Sequence, residues 1–180
     1  MKIILKSFFI LIILFQIKTS FSQGINQKLT NNKTGEVILI GQCTIDAFLK
    51  DKFIEWYRPE FNSYKYNLQK KTLDSIKPQL TDISIKIVLG TWCSDSREHF
   101  PHFMTVLDYL EFDNKNLKII CVDRNRIAGT VPTDYLNIVR VPTFIIYREK
   151  TELGRIIETP IESLEKDLLK IFKGIYTQTH

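Results

Sequence analysis

Apolar and polar positions alternate in a pattern that predicts short strands separated by amphipathic helices. The runs EVILIGQ at 36–42, DISIKIVLG at 82–90 and LKIICVD at 117–123 have the length and apolar content of buried strands. TFIIYR and LGRIIE, joined by EKTE, predict a β-hairpin over about 143–158. Because helical patterns lie between these strands, the chain is expected to form an α/β fold. Its mixed central sheet should have helices on both faces.

Helical spacing of apolar residues predicts four helices. They extend from Thr44 to about Pro59, over about 65–77, onward from the sequence WCSDS, and from Thr159 to near Gly174. The last has a helix-start signature, in which Thr159 is the N-cap, Pro160 the first position and Glu162 the capping-box acid. The segment 124–140 is predicted to be irregular or a short helix.

The first 22 residues have the pattern of a secretory signal. A basic head, MKIILK, precedes the apolar block SFFILIILF, which is shorter than the roughly 20 residues needed to span a bilayer. Ser20 and Ser22 are the small residues expected before a cut between Ser22 and Gln23. Export to the periplasm or the medium is therefore expected, with no integral membrane segment after cleavage. The alternative interpretation is an uncleaved N-terminal anchor.

The rest of the chain is predicted to be one domain. Residues 23–35 are polar and are expected to be a flexible lead-in, followed by a single domain over 36–176. The whole chain has a formal charge of +5, and three of its lysines lie in the first 22 residues. The remainder is close to neutral and has no basic stripe, so no nucleic-acid partner is expected.

Three cysteines follow the predicted cut: Cys43, Cys93 and Cys121. In an oxidising compartment an odd number implies at least one unpaired thiol or an intermolecular bond. Cys121, inside an apolar run, is expected to be a core thiol. Cys43 is expected at the same sheet edge as Cys93. Two less favoured alternatives are a role as a distant resolving thiol, although the two strands are not expected to be adjacent, and a Cys43–Cys121 disulfide.

Cys93 lies where a buried strand ends and a helix begins. The unpaired N–H groups and positive dipole of a helix N-terminus favour a thiolate, which is the nucleophilic form. Ser96 is placed to donate its O–H to the sulfur, and Arg97 adds positive charge. Asp95 opposes both, because a carboxylate in the first turn repels a thiolate. The alternative is a buried structural cysteine, with Asp95 and Ser96 acting only as caps.

The sequence GTWCSDSREHFP at 90–101 resembles the active site of the thioredoxin superfamily. There a strand leads into W-C-x-x-C at a helix N-terminus, and a proline kinks the helix where Pro101 stands, eight residues after Cys93. The stretch is especially similar to exported thioredoxin-like proteins with G-T-W-C-x-D-S. The resemblance covers 83–173 well and 36–60 loosely.

Further positions carry the same resemblance. Asp123 and Asn125 are similar to the D-x-N that closes the next strand, and 141–143, V-P-T, is similar to the segment with a cis proline. The resemblance implies a thioredoxin-like fold with one extra helix, at 65–77, inserted before the active-site strand.

The V-P-T segment is expected to bind substrate. A cis Pro142 bond would turn the backbone of Val141 toward the reactive sulfur, where its N–H and C=O can pair with an extended peptide. Trp92 and Thr143 belong to the same predicted substrate site, and Arg140 would flank it.

Two departures from the family pattern bear on function. Ser96 stands where the second, resolving cysteine would be, and Ile87 replaces a buried acid that assists proton transfer. Both departures argue against an efficient general disulfide reductase. The resemblance implies instead a thiol–disulfide oxidoreductase or isomerase of the cell envelope that uses the single cysteine Cys93, with Cys93 and Ser96 as its catalytic residues. Its partners would be protein thiols or disulfides, or a small thiol, and no cofactor is expected. The alternatives are a non-catalytic module that binds extended peptides and, less favoured, handling of a metal or of glutathione.

His99 and His102 form an H-x-x-H pair on the same helix. Cys93 lies six residues from His99, about 9 Å along a helix, which is too far for one ion to bridge. The pair is therefore interpreted as surface histidines, and no metal is expected.

The signal predicts a mature N-terminus at Gln23. Mass spectrometry of the exported protein should find this terminus, because the basic head, short apolar core and Ser-x-Ser ending match signal-peptidase substrates. An intact Met1 on a membrane-bound form would contradict the prediction.

Overall fold

The protein is described by a computed structural model that covers residues 24–178. The predicted signal at 1–22 and the Ser22–Gln23 bond lie outside these residues. Within 24–178, no helix has both the length and the apolar character needed to cross a membrane.

Within residues 24–178, six strands form one mixed sheet, in the order β1-β2-β4-β3-β5-β6. The strands are β1 Gln27–Thr30, β2 Val37–Cys43, β3 Ile83–Leu89, β4 Leu117–Cys121, β5 Thr143–Arg148 and β6 Thr151–Ile157. Strands β3 and β4 pair in parallel, and the other neighbours pair antiparallel. The predicted hairpin is therefore β5–β6, at one edge of the sheet.

In the described part of the chain, four α-helices lie between and after the strands. They are α1 Ile54–Tyr64, α2 Lys70–Ile76, α3 Ser94–Tyr109 and α4 Leu164–Phe172. Short 3-10 turns occur at Ile45–Ala47, Asp51–Phe53, Lys77–Gln79, Asn114–Asn116 and Asp134–Leu136. The helix inserted before β3 is α2, shorter than predicted.

The lead-in at 23–35 contains a strand that the sequence did not predict. Gln27 pairs with Ile40 and Thr30 with Val37 across the β1–β2 ladder. All four residues of β1 are exposed, so the strand has no apolar alternation to reveal it. Backbone hydrogen bonding to β2, rather than burial, holds this edge strand.

Both predicted bounds of the first helix, Thr44 and Pro59, are wrong. Thr44 has an extended backbone and no capping hydrogen bond, and the chain makes 3-10 turns before α1 begins. Pro59 lies inside α1, where its ring costs one backbone hydrogen bond without ending the helix.

The closing helix begins later than predicted, because its cap is Ser163. The Ser163 hydroxyl accepts from the Lys166 N–H at 3.2 Å. The Asp167 carboxylate reaches back to the N–H groups of Ile161 and Glu162, at 2.6 and 3.3 Å. These bonds hold the preceding residues in a loop outside the helix.

The two faces of the sheet are covered differently. One face packs against all four α-helices in a single core, to which β3 contributes Ile85, Ile87 and Leu89. The opposite face, which includes Val88, is covered by the segment 124–142, whose helical part is one 3-10 turn. Both faces are thus covered as predicted, but the α-helices lie on one of them.

The architecture is a mixed α/β fold of thioredoxin-like type, as the sequence predicted. Strand β3, which is followed by α3, lies inside the sheet between β4 and β5. The hairpin β5–β6 forms one edge of the sheet, and α4 is the last element of the chain. This arrangement places the N-terminus of α3 beside the start of β5.

The Phe103–Phe144 stack joins α3 to the sheet, so Phe144→Ala should strongly destabilise the fold. The two buried rings lie 4.3 Å apart between centroids, and truncation leaves a cavity worth about 3–5 kcal/mol. Chemical denaturation measures the loss. The control is Tyr66→Ala, since Tyr66 is 92% exposed and its loss should change stability by less than about 0.5 kcal/mol. Equal effects of both changes would contradict this account of the core.

Candidate functional site

The candidate site is built on the turn that connects β3 to α3. The Cys93 N–H donates to the Gly90 carbonyl at 2.9 Å, which closes the turn. The buried Thr91 hydroxyl accepts from the Leu39 N–H of β2 at 3.1 Å. The turn is therefore closed by its own backbone and joined to β2 through Thr91.

Gly90 is required by the close approach of Trp92. A Cβ atom at Gly90 would lie 2.6 Å from the indole ring, inside van der Waals distance. The indole Nε1 donates to the Val122 carbonyl at 2.9 Å, and the Arg124 guanidinium lies 4.8 Å from the ring centroid. Trp92 is thus half-buried and held in place at one side of the site.

Cys93 contacts the segment that the sequence predicted to bind substrate. Its Sγ donates to the Val141 carbonyl at 3.3 Å, and the Val141–Pro142 bond is cis. Cys93 is partly exposed and lies at the N-cap of α3 with an extended backbone. The structure therefore brings together Trp92, Cys93, Val141 and Pro142.

The N-terminus of α3 has no side-chain cap. The Arg97 N–H donates to the Cys93 carbonyl at 3.1 Å, but no side chain accepts from the first-turn amides at the N-cap. Asp95 instead accepts from the Ser94 hydroxyl at 3.4 Å. The interpretation of Asp95 as a pure cap is therefore wrong, and the positive end of the helix is left facing the region of Cys93.

Ser96 does not make the hydrogen bond that the sequence predicted. Its side chain is 0% exposed, and its hydroxyl accepts from the Gly90 N–H at 3.2 Å rather than donating to the Cys93 sulfur. The physical reason is that Gly90 follows the last ladder position of β3, where its N–H needs a partner. Ser96 thus fastens the turn that presents Cys93.

The Arg97 side chain also contacts the turn between β3 and α3. Its Nε donates to the Thr91 carbonyl at 2.7 Å. This bond fixes the guanidinium beside the backbone that precedes Cys93, so the side chain supports the turn as well as carrying positive charge.

The segment around Pro142 is held from both ends. The buried Thr143 hydroxyl donates to the Arg140 carbonyl at 2.6 Å, and the Pro142 carbonyl accepts from the Glu158 N–H at 2.7 Å. The Arg140 guanidinium pairs with the Glu158 carboxylate at 2.7 Å. Thr143 therefore supports the segment from within. Sequence reasoning missed Glu158, because only the fold brings the end of β6 next to Pro142.

Cys43 is not at the sheet edge of Cys93, contrary to prediction. Strand β2 pairs antiparallel to β4, with Gly41 opposite Cys121 and Cys43 opposite Ile119. The chain therefore runs away from the site as it passes through Cys43. This direction removes Cys43 as a resolving thiol for Cys93.

Cys43 and Cys121 lie close together as free thiols. Both are buried in the helix-covered core, on the same face of neighbouring strands. Burial raises the pKa of Cys121 well above its ordinary value, and a hydrogen bond with Cys43 raises it further. These thiols are structural in the state observed.

Ile87 is fully buried in the same apolar core. Its position in β3 therefore provides no carboxylate for proton transfer near the site. The structure agrees with the sequence here, since a strand residue facing the core cannot carry an unpaired charge at low cost.

Comparison with known proteins gives limited likeness. No protein-family model and no curated protein matches the chain. Similar solved structures include a protein of unknown function from Pseudomonas aeruginosa, at 14% identity over 66% of this chain and 75% of that chain, with a TM-score of 0.39. A mutant thioredoxin from Entamoeba histolytica is 20% identical over 56% of this chain and 91% of its own, with a TM-score of 0.34.

Thioredoxin f2 from Chlamydomonas reinhardtii is 19% identical over 62% of this chain and 96% of its own, with a TM-score of 0.37. All three TM-scores are below 0.5.

Asp95→Asn should speed alkylation of Cys93 near neutral pH. Asp95 places negative charge in the first turn, so its removal favours the thiolate, by about two- to fivefold if the interaction is of surface strength. Iodoacetamide kinetics, followed by peptide mass spectrometry of the Cys93 peptide, measure the rate. Asp108→Asn removes the same charge near the other end of α3 and should leave the rate unchanged. An equal rate in Asp95→Asn and wild type would mean that this carboxylate does not act on the sulfur.

Proposed function

We propose that the protein is a thioredoxin-like thiol–disulfide oxidoreductase of the cell envelope that uses the single cysteine Cys93. The observation that carries this proposal is the contact between the partly exposed Cys93 sulfur and the Val141 carbonyl, at 3.3 Å. It joins a thiol at an uncapped helix N-terminus to a backbone segment suited to bind an extended peptide.

The attack step requires only this sulfur. Cys93 loses its proton to solvent, and the thiolate attacks one sulfur of a substrate disulfide. A new S–S bond forms to Cys93, the substrate S–S bond breaks, and the second substrate sulfur leaves as a thiolate that takes up a proton. The N-terminus of α3 favours the negative charge of the attacking group.

Loss of the thiol proton also frees the Val141 carbonyl. In the state observed, this carbonyl accepts from Cys93. A thiolate has no proton to donate, so the carbonyl becomes available to a backbone N–H of the substrate. Binding of an extended segment is thereby coupled to activation of the sulfur.

Release of the substrate requires a second thiol from outside the site. Ser96 supplies a hydroxyl that is engaged with Gly90, and Cys43 and Cys121 are buried in the core. An external protein thiol or a small thiol must therefore attack the mixed disulfide, supplying the electrons that reduce it. The partners proposed are protein disulfides and a thiol reductant.

The cell-envelope location is proposed from the signal pattern of the first 22 residues. Disulfide exchange suits an oxidising compartment, where substrate disulfides persist. The competing hypothesis is a module that binds extended peptides through the Val141 segment without turnover. The two hypotheses differ in whether Cys93 forms mixed disulfides.

Wild-type protein should form mixed disulfides with small disulfides but reduce insulin poorly with dithiothreitol, whereas Ser96→Cys should reduce insulin at least about tenfold faster. The introduced thiol would lie one helical turn from Cys93, and an intramolecular thiol has a high effective concentration. Mass spectrometry detects the mixed disulfide, and insulin turbidity measures turnover.

Two variants complete this experiment. Cys93→Ser should abolish both behaviours, and Ser94→Cys adds a thiol in the same turn at an exposed position. Ser94→Cys should therefore gain little reductase activity. If wild type traps no mixed disulfide and Ser96→Cys gains nothing, Cys93 is structural and the peptide-binding hypothesis is favoured.

A further inference from the structure

We propose that Glu98, His99 and His102 form a binding site for a divalent transition-metal ion, of which Zn²⁺ is the best match. One ligand atom from each of these residues lies within 4.8 Å of the other two. The site lies on α3 where this helix packs beside α1, and Glu60 of α1 positions one of its ligands.

Helix geometry explains why these three residues converge. Glu98 precedes His102 by four residues and His99 precedes it by three, so both lie next to His102 on the helix surface. Cys93 is too far along the helix to be the third ligand beside His99 and His102. The structure provides a nearer one, Glu98, and the spacing E-x-x-x-H was the available signal.

His102 is held in place by two contacts from α1. Its Nε2 lies 2.9 Å from the Glu60 carboxylate, and its ring stacks on Tyr64 at 4.4 Å between centroids. Only 13% of the His102 side chain is exposed. Its orientation is therefore fixed before any ion arrives.

The Glu60 contact also selects the tautomer. If Nε2 carries the proton that Glu60 accepts, Nδ1 keeps its lone pair for a metal ion. A carboxylate bonded to the far nitrogen of a ligating histidine is the usual supporting contact in zinc sites, where it fixes the ring and raises its basicity. Glu60 is therefore a positioning residue.

The donor set indicates the class of ion. Two imidazole nitrogens and a carboxylate oxygen are typical of Zn²⁺ and related first-row ions, whereas Mg²⁺ and Ca²⁺ prefer oxygen ligands. Three protein ligands leave a fourth position open to water or to another molecule. Because Glu98 is exposed, an ion can reach the site from solvent.

The proposed metal site is separate from the Cys93 thiol. Cys93 and His99 are six positions apart in the chain, a helical rise of about 9 Å. Metal binding should therefore persist when Cys93 is blocked, which keeps its test independent of the proposed oxidoreductase function.

Titration of the full, untagged protein with ZnCl₂ tests the proposal. Cys93 is first alkylated with iodoacetamide, so that its thiolate cannot bind the ion. Calorimetry should show one ion per chain with a dissociation constant in the micromolar range, and CoCl₂ should give visible absorption bands characteristic of nitrogen and oxygen ligands.

The variants identify the ligands. His102→Gln and Glu98→Gln should each weaken Zn²⁺ binding at least about tenfold, and Glu60→Gln should weaken it about tenfold through loss of orientation. Glu60→Asp should restore part of the affinity. His180→Gln changes the remaining histidine of the chain and should leave binding unchanged.

Thermal unfolding in the presence of a chelator shows whether each variant folds. Absence of saturable Zn²⁺ binding to the folded, alkylated protein would overturn the proposal. So would undiminished binding to a folded His99→Asn/His102→Asn double variant.

Discussion

The meeting of the α3 N-terminus with the start of β5 is the contact on which the site depends. It is made directly by the Cys93 thiol and the Val141 carbonyl, 3.3 Å apart. The two partners are 48 residues apart in the chain, so neither is positioned by its neighbours alone. Separate hydrogen bonds secure each side, from Ser96 to the Gly90 turn and from Thr143 to Arg140. The Cys93 sulfur and the Val141 backbone are thereby held within reach of each other.

Helix α3 connects this contact to the rest of the molecule. Cys93 lies at its N-terminus, Phe103 on one side of the helix packs against the sheet, and His102 on another side packs against α1. Packing of the central part of the helix therefore determines the geometry at both positions. The turn before α3 cannot accommodate a side chain at position 90, because Trp92 fills the space that a Cβ of Gly90 would need.

Ser96 illustrates how a substitution at an active-site position can have a structural role. Its oxygen accepts a backbone N–H that leaves the sheet at Gly90. Sulfur is a weak acceptor, so a cysteine at this position would satisfy that N–H less well. The serine therefore holds the turn better than a cysteine would. In the reaction proposed above, the same serine also leaves the site without a second thiol, so release of a mixed disulfide requires an external one.

The sequence by itself determined the elements that have a regular apolar period: strands β2 to β6, helix α3, and the thioredoxin-like arrangement implied by the residues around Cys93 and Pro142. The tertiary structure alone decided which groups meet. Strand β1 is exposed throughout, so no apolar alternation in the sequence reveals it. The direction of β2, which is antiparallel to β4 and places Cys43 away from the site, does not change the alternation of apolar residues and so cannot be read from it. The partners of Ser96 and His102 were equally hidden. A hydrogen bond forms with whichever donor or acceptor the fold brings within about 3 Å. The fold alone sets that proximity, whether the partner is six residues away, as Gly90 is from Ser96, or 42 residues away, as Glu60 is from His102.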